Sequence, residues 1–215
     1  MASLIAVLHI FRQSLADAWA EWVDLVVLNA VWLLATVTVI LAPPALLALF
    51  HTTRELAMGR GVDIRMFIQG IRLYFVRGWL WGLLNIAFGA LFVASLTVYG
   101  QIDEDWSTMA ASVSFVIAAL WIMVQFYGLS YLVFQEKPNL LVALRNGLYT
   151  ILASPLFSFL LGAILIGLML FTAQVLLALL AGIPALLTLI ANRAVRDRLE
   201  TFGLLPRPAQ EVEGG

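Results

Sequence analysis

The chain has 215 residues, 63% of them hydrophobic and 12% charged, with a mean hydropathy of +0.99, well above the roughly 45 to 50% apolar content of a soluble domain. A net charge of −1 offers no field for nucleic acid, and a cysteine count of 0 excludes disulfides, thiol nucleophiles and cysteine metal ligands. These limits predict an all-α, polytopic membrane bundle: one domain over residues 1–203, in contact with the lipid bilayer, and a disordered cytoplasmic tail over 204–215 rich in Pro, Gly and charge.

Residues 4–22 predict an amphipathic helix lying in the membrane interface. Leu4, Leu8, Phe11, Leu15, Trp19 and Trp22 form its apolar stripe, with Arg12, Gln13, Asp17 and Glu21 elsewhere. The opening "MASLIAVLHIFRQSL" has no basic n-region, and His9 and Arg12 interrupt its apolar stretch, so no cleaved leader is expected. A first span follows at about 25–42.

"LAPPALLALFHTTREL" then raises the question of what two adjacent prolines do at the end of a greasy run. Pro43 and Pro44 bring no amide hydrogens and free the carbonyls of Val39 and Ile40. The expected outcome is that the first span ends there and a surface helix runs from Ala45 to Met58 along the cytoplasmic face, because proline is favoured at a helix start. The rival is a broken helix whose carbonyls line a solute site, as in many transporters. Pro184, after Gly182, poses the same choice in the last span.

Asp63 is the expected cap of an elbow carrying Arg65 and Arg72, which leads into a span at 79–99. The loop "GQIDEDWST" precedes a long span at 108–134, and Pro138 with Asn139 starts a second elbow carrying Arg145. Ile151 to Ala191 has no charged residue and would be roughly 60 Å of helix, twice the hydrocarbon thickness. It is read as two spans, 154–171 and 175–191, turning at Phe171 to Gln174. The count is five transmembrane helices. Two similar units, 63–134 and 139–191, form a weak internal repeat running in the same direction.

Arg54, Arg60, Arg65, Arg72, Arg77, Lys137, Arg145, Arg193, Arg196, Arg198 and Arg207 fall on one side of this arrangement and Arg12 on the other. By the positive-inside rule the C-terminus is cytoplasmic and, with five spans, the N-terminus is outside.

Within the spans the polar candidates are Asn29, Asn85, Gln125 and Gln174, expected to be interhelical hydrogen-bond contacts. No ionisable group falls near a midplane, which counts against proton relays, voltage sensors and ion-coupled carriers. His51 and Glu55 share a helical face but lack a second histidine, so no metal is expected there. Gly82, Gly89, Gly162 and Gly167 are expected to permit close helix approach. No catalytic or phosphate-binding motif occurs, and neither enzyme activity nor a cofactor is expected.

The stretch Asp24 to Leu56, with Leu28, Asn29, Trp32, Leu33, Leu34, Pro43, Ala45, Ala48, Leu49 and Phe50, resembles the opening of the YesL-like family of bacterial membrane proteins. "LLVALRNGLYTILASPLFSFLL", with Ala143, Leu144, Asn146, Ser154 and Pro155, resembles that family's fourth span and its elbow. Pro44 departs from the family's usual single proline. The resemblance implies an inner-membrane protein linked to carbohydrate uptake and ABC-type sugar importers, and brings no catalytic residues. Together these readings predict a non-enzymatic accessory subunit or assembly factor. It would meet a membrane-protein partner, or itself, through Arg54, Arg65, Arg72, Arg145 and Arg196, with anionic lipid as a further ligand. The alternative is a small facilitator or channel for a neutral solute, using the carbonyls near the prolines and the amides of the spans.

Overall fold

The computed structural model describes residues 2–102, 104–174 and 182–206. Among them the chain forms α1 (Ala2–Ala20), α2 (Trp22–Val37), α3 (Ala42–Ala57), α4 (Ile64–Tyr99), α5 (Asp105–Phe134), α6 (Leu140–Ala153), α7 (Pro155–Gln174) and α8 (Ile183–Thr201). Helices satisfy their own backbone groups, which a chain this apolar requires in hydrocarbon. α4 and α5 are each long and apolar enough to cross a membrane; the bent pairs α1–α2 (89°) and α6–α7 (113°) raise the count to four if each pair is one span.

The expected spans at 79–99 and 108–134 thus lie within α4 and α5, and among the described residues the candidate spans number two to four, so the expected five is not confirmed. The expected turn at Phe171 to Gln174 is helical, because nothing in α7 before Gln174 breaks the hydrogen-bond ladder. Residues 175–181 of the expected fifth span lie outside the described residues, as do Asp103 and 207–215. α8 begins after Gly182, whose positive φ of 100° only glycine adopts readily, and runs into the charged segment.

Local signals act where the sequence places them. The Asp63 carboxylate accepts the Arg65 amide at 2.9 Å and Asn139 accepts that of Val142 at 3.2 Å, capping α4 and α6. The prolines occupy the first turn of α3, as a helix start favours. α2, however, stops earlier, at Val37, where the Thr38 hydroxyl donates to the Ala35 carbonyl at 2.7 Å. The helix after the prolines is not on the surface. Ala45, Leu47, Ala48 and Leu49 are 0% exposed, and α3 packs against α2, α4, α5 and α8. His51, Arg54 and Glu55 mark only the far end of a helix whose body is apolar on every side.

Glycines let α3 and α4 run antiparallel in close contact. A Cβ on Gly70 would lie 3.0 Å from the Ala48 backbone, on Gly78 2.7 Å from that of Pro44, and on Gly82 3.1 Å from the Pro43 ring. Of the four glycines expected at close approaches, Gly82 meets Pro43 and Gly162 meets Met123, whereas Gly89 and Gly167 have open space.

α8 lies beside α3 in the same direction. The Thr53 hydroxyl donates to that of Thr188 at 2.9 Å, the Asn192 amide to the Phe50 carbonyl at 2.8 Å, and Arg196 to the Ala57 carbonyl at 2.5 Å. α1 packs on the charged half of α8, where Arg193 pairs with Asp17 and bonds Gln13 at 2.8 Å. Burial, then the Arg196 charge, push the Arg193 guanidinium below its ordinary value, so the Asp17 carboxylate offsets an unfavourable environment. Arg12 therefore stands at the same end as the other cations, not opposite them. Most of the apolar stripe of α1 (Leu4, Leu8, Leu15 and Trp19) is exposed, with Trp19 82% exposed, while Phe11 packs on the core that Val7 and Ile10 enter.

Because the clash at Gly78 is with backbone, Gly78→Ala is expected to cost about 1 to 3 kcal/mol and to lower the melting temperature of the detergent-solubilised protein by roughly 2 to 12 °C. Gly89→Ala, into open space, is expected to leave it unchanged or slightly higher.

Candidate ligand-binding cleft

A cleft of about 450 Å³ opens where α2, α3, α4, α5, α7 and α8 converge. Its walls are mostly aromatic and aliphatic: Trp32, Phe50, Trp81, Trp121 and Phe126, with Leu46, Met169 and Pro184. Asn85, Gln125 and Thr188 supply the polar edge, and none of the described lining residues is charged.

The polar edge is a connected chain. Trp81 Nε1 donates to Gln125 Oε1, Asn85 Nδ2 donates to the Trp81 carbonyl at 2.8 Å, and Trp121 Nε1 donates to Asn85 Oδ1 at 3.1 Å. Phe88 stacks on Trp121 with ring centres 4.7 Å apart, fixing the indole. Two donors of lining residues, Trp32 Nε1 and Gln125 Nε2, are buried within the protein and have no partner among the described residues. A buried donor without an acceptor costs about 1 to 3 kcal/mol.

The start of α3 is built so that it attracts no anion. Pro43 and Pro44 have no amide hydrogen, Ala42 N donates to the Val39 carbonyl at 3.2 Å and Ala45 N to that of Leu41 at 2.8 Å, which removes the orphan donors of that helix end. At α8, Pro184 again lacks a donor and Ala185 N is taken by Asn29 Oδ1 at 3.2 Å. The carbonyls expected to be free are also occupied. That of Val39 holds Ala42 N and that of Ile40 accepts Trp79 Nε1 at 3.1 Å. They line no site.

The structure thus brings Asn85, Gln125 and Pro184 together, and separates them from the rest. Asn29 is buried behind the cleft as a cap for α8, Pro43 and Pro44 pack on α4, and the side chain of Gln174 lies outside the described residues. The cations form no single pocket. Arg54 pairs with Glu55 at 3.1 Å and lies over the Phe134 ring, Arg196 pairs with Glu200 at 2.7 Å, and Arg65, Arg72 and Arg145 are exposed on α4 and α6. Glu55 also binds Arg60 at 3.1 Å, and His51 packs against Tyr74, so the two do not form a ligand pair.

Sequence reasoning missed Trp32, Trp81 and Trp121. Tryptophan normally gathers at membrane interfaces; Trp32 and Trp121 in the middle of apolar runs were the available signal. It also missed Asn192, which joins α8 to α3. Asn192→Leu removes two donated bonds, to the Phe50 carbonyl and Thr53 Oγ1, and is expected to cost about 1 to 3 kcal/mol, read as earlier unfolding in mixed-micelle denaturant titrations.

Residues 25–96, which include α2 from Leu25, α3 and α4 as far as Leu96, match the family described as "Protein of unknown function, DUF624". No curated protein and no solved structure matches the chain.

Proposed function

We propose that this is a non-enzymatic protein of the bacterial inner membrane that holds an uncharged small molecule in the cleft and serves as its facilitator. The observation that carries this reading is an aromatic cleft whose described lining has no charge and whose polar edge is the amides of Asn85 and Gln125 and the hydroxyl of Thr188. An anionic guest would find no guanidinium and, at the start of α3, no free helix amides. A cation would find indole faces but no carboxylate among the described lining residues. A neutral molecule with hydroxyl or carbonyl oxygens meets both needs, with apolar surface for the walls and acceptors for the edge.

A second reading is favoured by a different observation. The outer halves of α4 and α5 carry an exposed apolar surface that includes Leu83, Ile86, Leu91, Val116 and Leu120, which suits an accessory subunit lying against a larger membrane complex. The resemblance to YesL-like proteins makes a sugar importer the natural partner.

The protein reconstituted alone into liposomes is expected to pass a neutral polyol or monosaccharide. Gln125→Leu should lower the flux about fivefold to tenfold, in keeping with one lost hydrogen bond, and Arg65→Ala should not. The same solute should change the tryptophan emission of the wild type. No flux and no spectral change across a panel of neutral solutes, together with crosslinking of the α4–α5 hairpin to an importer subunit in native membranes, would replace this reading with the second.

A further inference from the structure

We propose that α2–α3 and α7–α8 are two re-entrant hairpins, each entering and leaving the bilayer on the basic face, so that the chain crosses the membrane only twice, through α4 and α5. Four observations carry it.

The first hairpin begins and ends at one end of the bundle. α2 follows α1, which is tied to the charged half of α8 through Asp17 and Gln13, and α3 finishes where Arg196 binds the Ala57 carbonyl.

Its tip stays near the basic face. Each arm has 16 residues, about 24 Å at 1.5 Å per residue, against a core of about 30 Å. Pro43 lies against Gly82, three residues into the uncharged run 79–99 of α4 and so close to its basic end.

The tip is fit for hydrocarbon. A chain that reverses inside a membrane must pair its backbone groups. In the tip the carbonyls of Val39, Ile40 and Leu41 have partners, the Leu41 amide donates to Thr38 Oγ1 at 3.3 Å, and two prolines eliminate donors altogether.

The second hairpin repeats the first. Both are preceded by a short helix and a sharp bend, of 89° and 113°. Pro-Ala-Leu-Leu-x-Leu occurs at Pro44 to Leu49 and again at Pro184 to Leu189, and the two copies begin α3 and α8 side by side in the same direction. α7 also starts where α8 ends, with Arg198 over the Phe157 ring at 4.0 Å and 3.4 Å from Ser154 Oγ. We read the internal repeat as α1–α2–α3 with α6–α7–α8, in place of the pairing of 63–134 with 139–191.

This topology places all the lysines and arginines among the described residues, Arg12 included, on one side, which the positive-inside rule makes cytoplasmic. The N-terminal helix shares that side with the end of α8. It stands or falls independently of the cleft's ligand.

The natural chain has 0 cysteines, so single cysteines at Ser3, Thr38, Gly61, Gln101 and Glu136 can be probed with a membrane-impermeant maleimide in intact cells and in inverted vesicles. Gln101→Cys should label only in cells, and Ser3→Cys, Gly61→Cys and Glu136→Cys only in inverted vesicles. Thr38→Cys should resist the impermeant reagent in both and react with permeant N-ethylmaleimide. Labelling of Ser3→Cys or Thr38→Cys in intact cells would overturn the proposal. Should a cysteine variant fail to accumulate, green fluorescent protein fused to the N-terminus gives the same answer: it should fluoresce, and a dark but full-length fusion would overturn the proposal.

Discussion

The constraint on which this fold rests is that hydrocarbon leaves no backbone polar group a water partner. The chain nevertheless breaks its helix at residues 38–41. It does so by removing donors with Pro43 and Pro44, by folding threonine hydroxyls back onto the carbonyls of Trp32 and Ala35, and by sending one indole, Trp79, across from α4 to the Ile40 carbonyl. Each of these groups also holds position. Trp79 ties the tip to α4, the prolines fill the space left by Gly78 and Gly82, and Asn29 performs the equivalent service for α8. Satisfying the break and assembling the bundle are one event.

That solution shapes the cleft. Helix starts inside a membrane commonly gather negative charge, but here they are blunted by proline and by an asparagine oxygen. What remains facing the space is π surface and amide, a chemistry suited to neutral guests. The charged groups are concentrated at the other level of the molecule, where they pair among themselves and with α1, and so contribute to the seating of the helices more than to any one binding pocket.

Much of this was legible locally and little of it globally. Asp63 and Asn139 announce α4 and α6 because a cap acts over three residues, and the uncharged runs around 79–99 and 108–134 announce two long helices because length alone decides them. The fate of 25–57 was not legible from hydropathy, which measures how greasy a run is and not how deep it goes; α2 is as apolar as a span and yet turns back into α3, whose start reaches only to Gly82. The charged trio at the end of α3 read as a surface helix because the eye weighs His51, Arg54 and Glu55 above the apolar turns before them. Placing Arg12 outside followed from the parity of a span count, and that count has no term for a hairpin that turns back. Of the cleft, Asn85 and Gln125 were found as polar groups in apolar runs, but the indoles that bind them were not, since side-chain pairing between α4 and α5 depends on a register the sequence does not print. The six-residue pattern shared by α3 and α8 was in plain view and needed only a comparison of the two proline sites.

The short first hairpin has a mechanical consequence as well. With the α2–α3 tip held at Gly82, most of the packed helices lie toward the basic ends of α4 and α5, whose far ends stand largely alone. Such a body is a wedge: it spreads the headgroups around its broad end and leaves the acyl chains free to close in above the tips. In the proposed topology, a protein of this shape belongs where the sheet bends toward the narrow side.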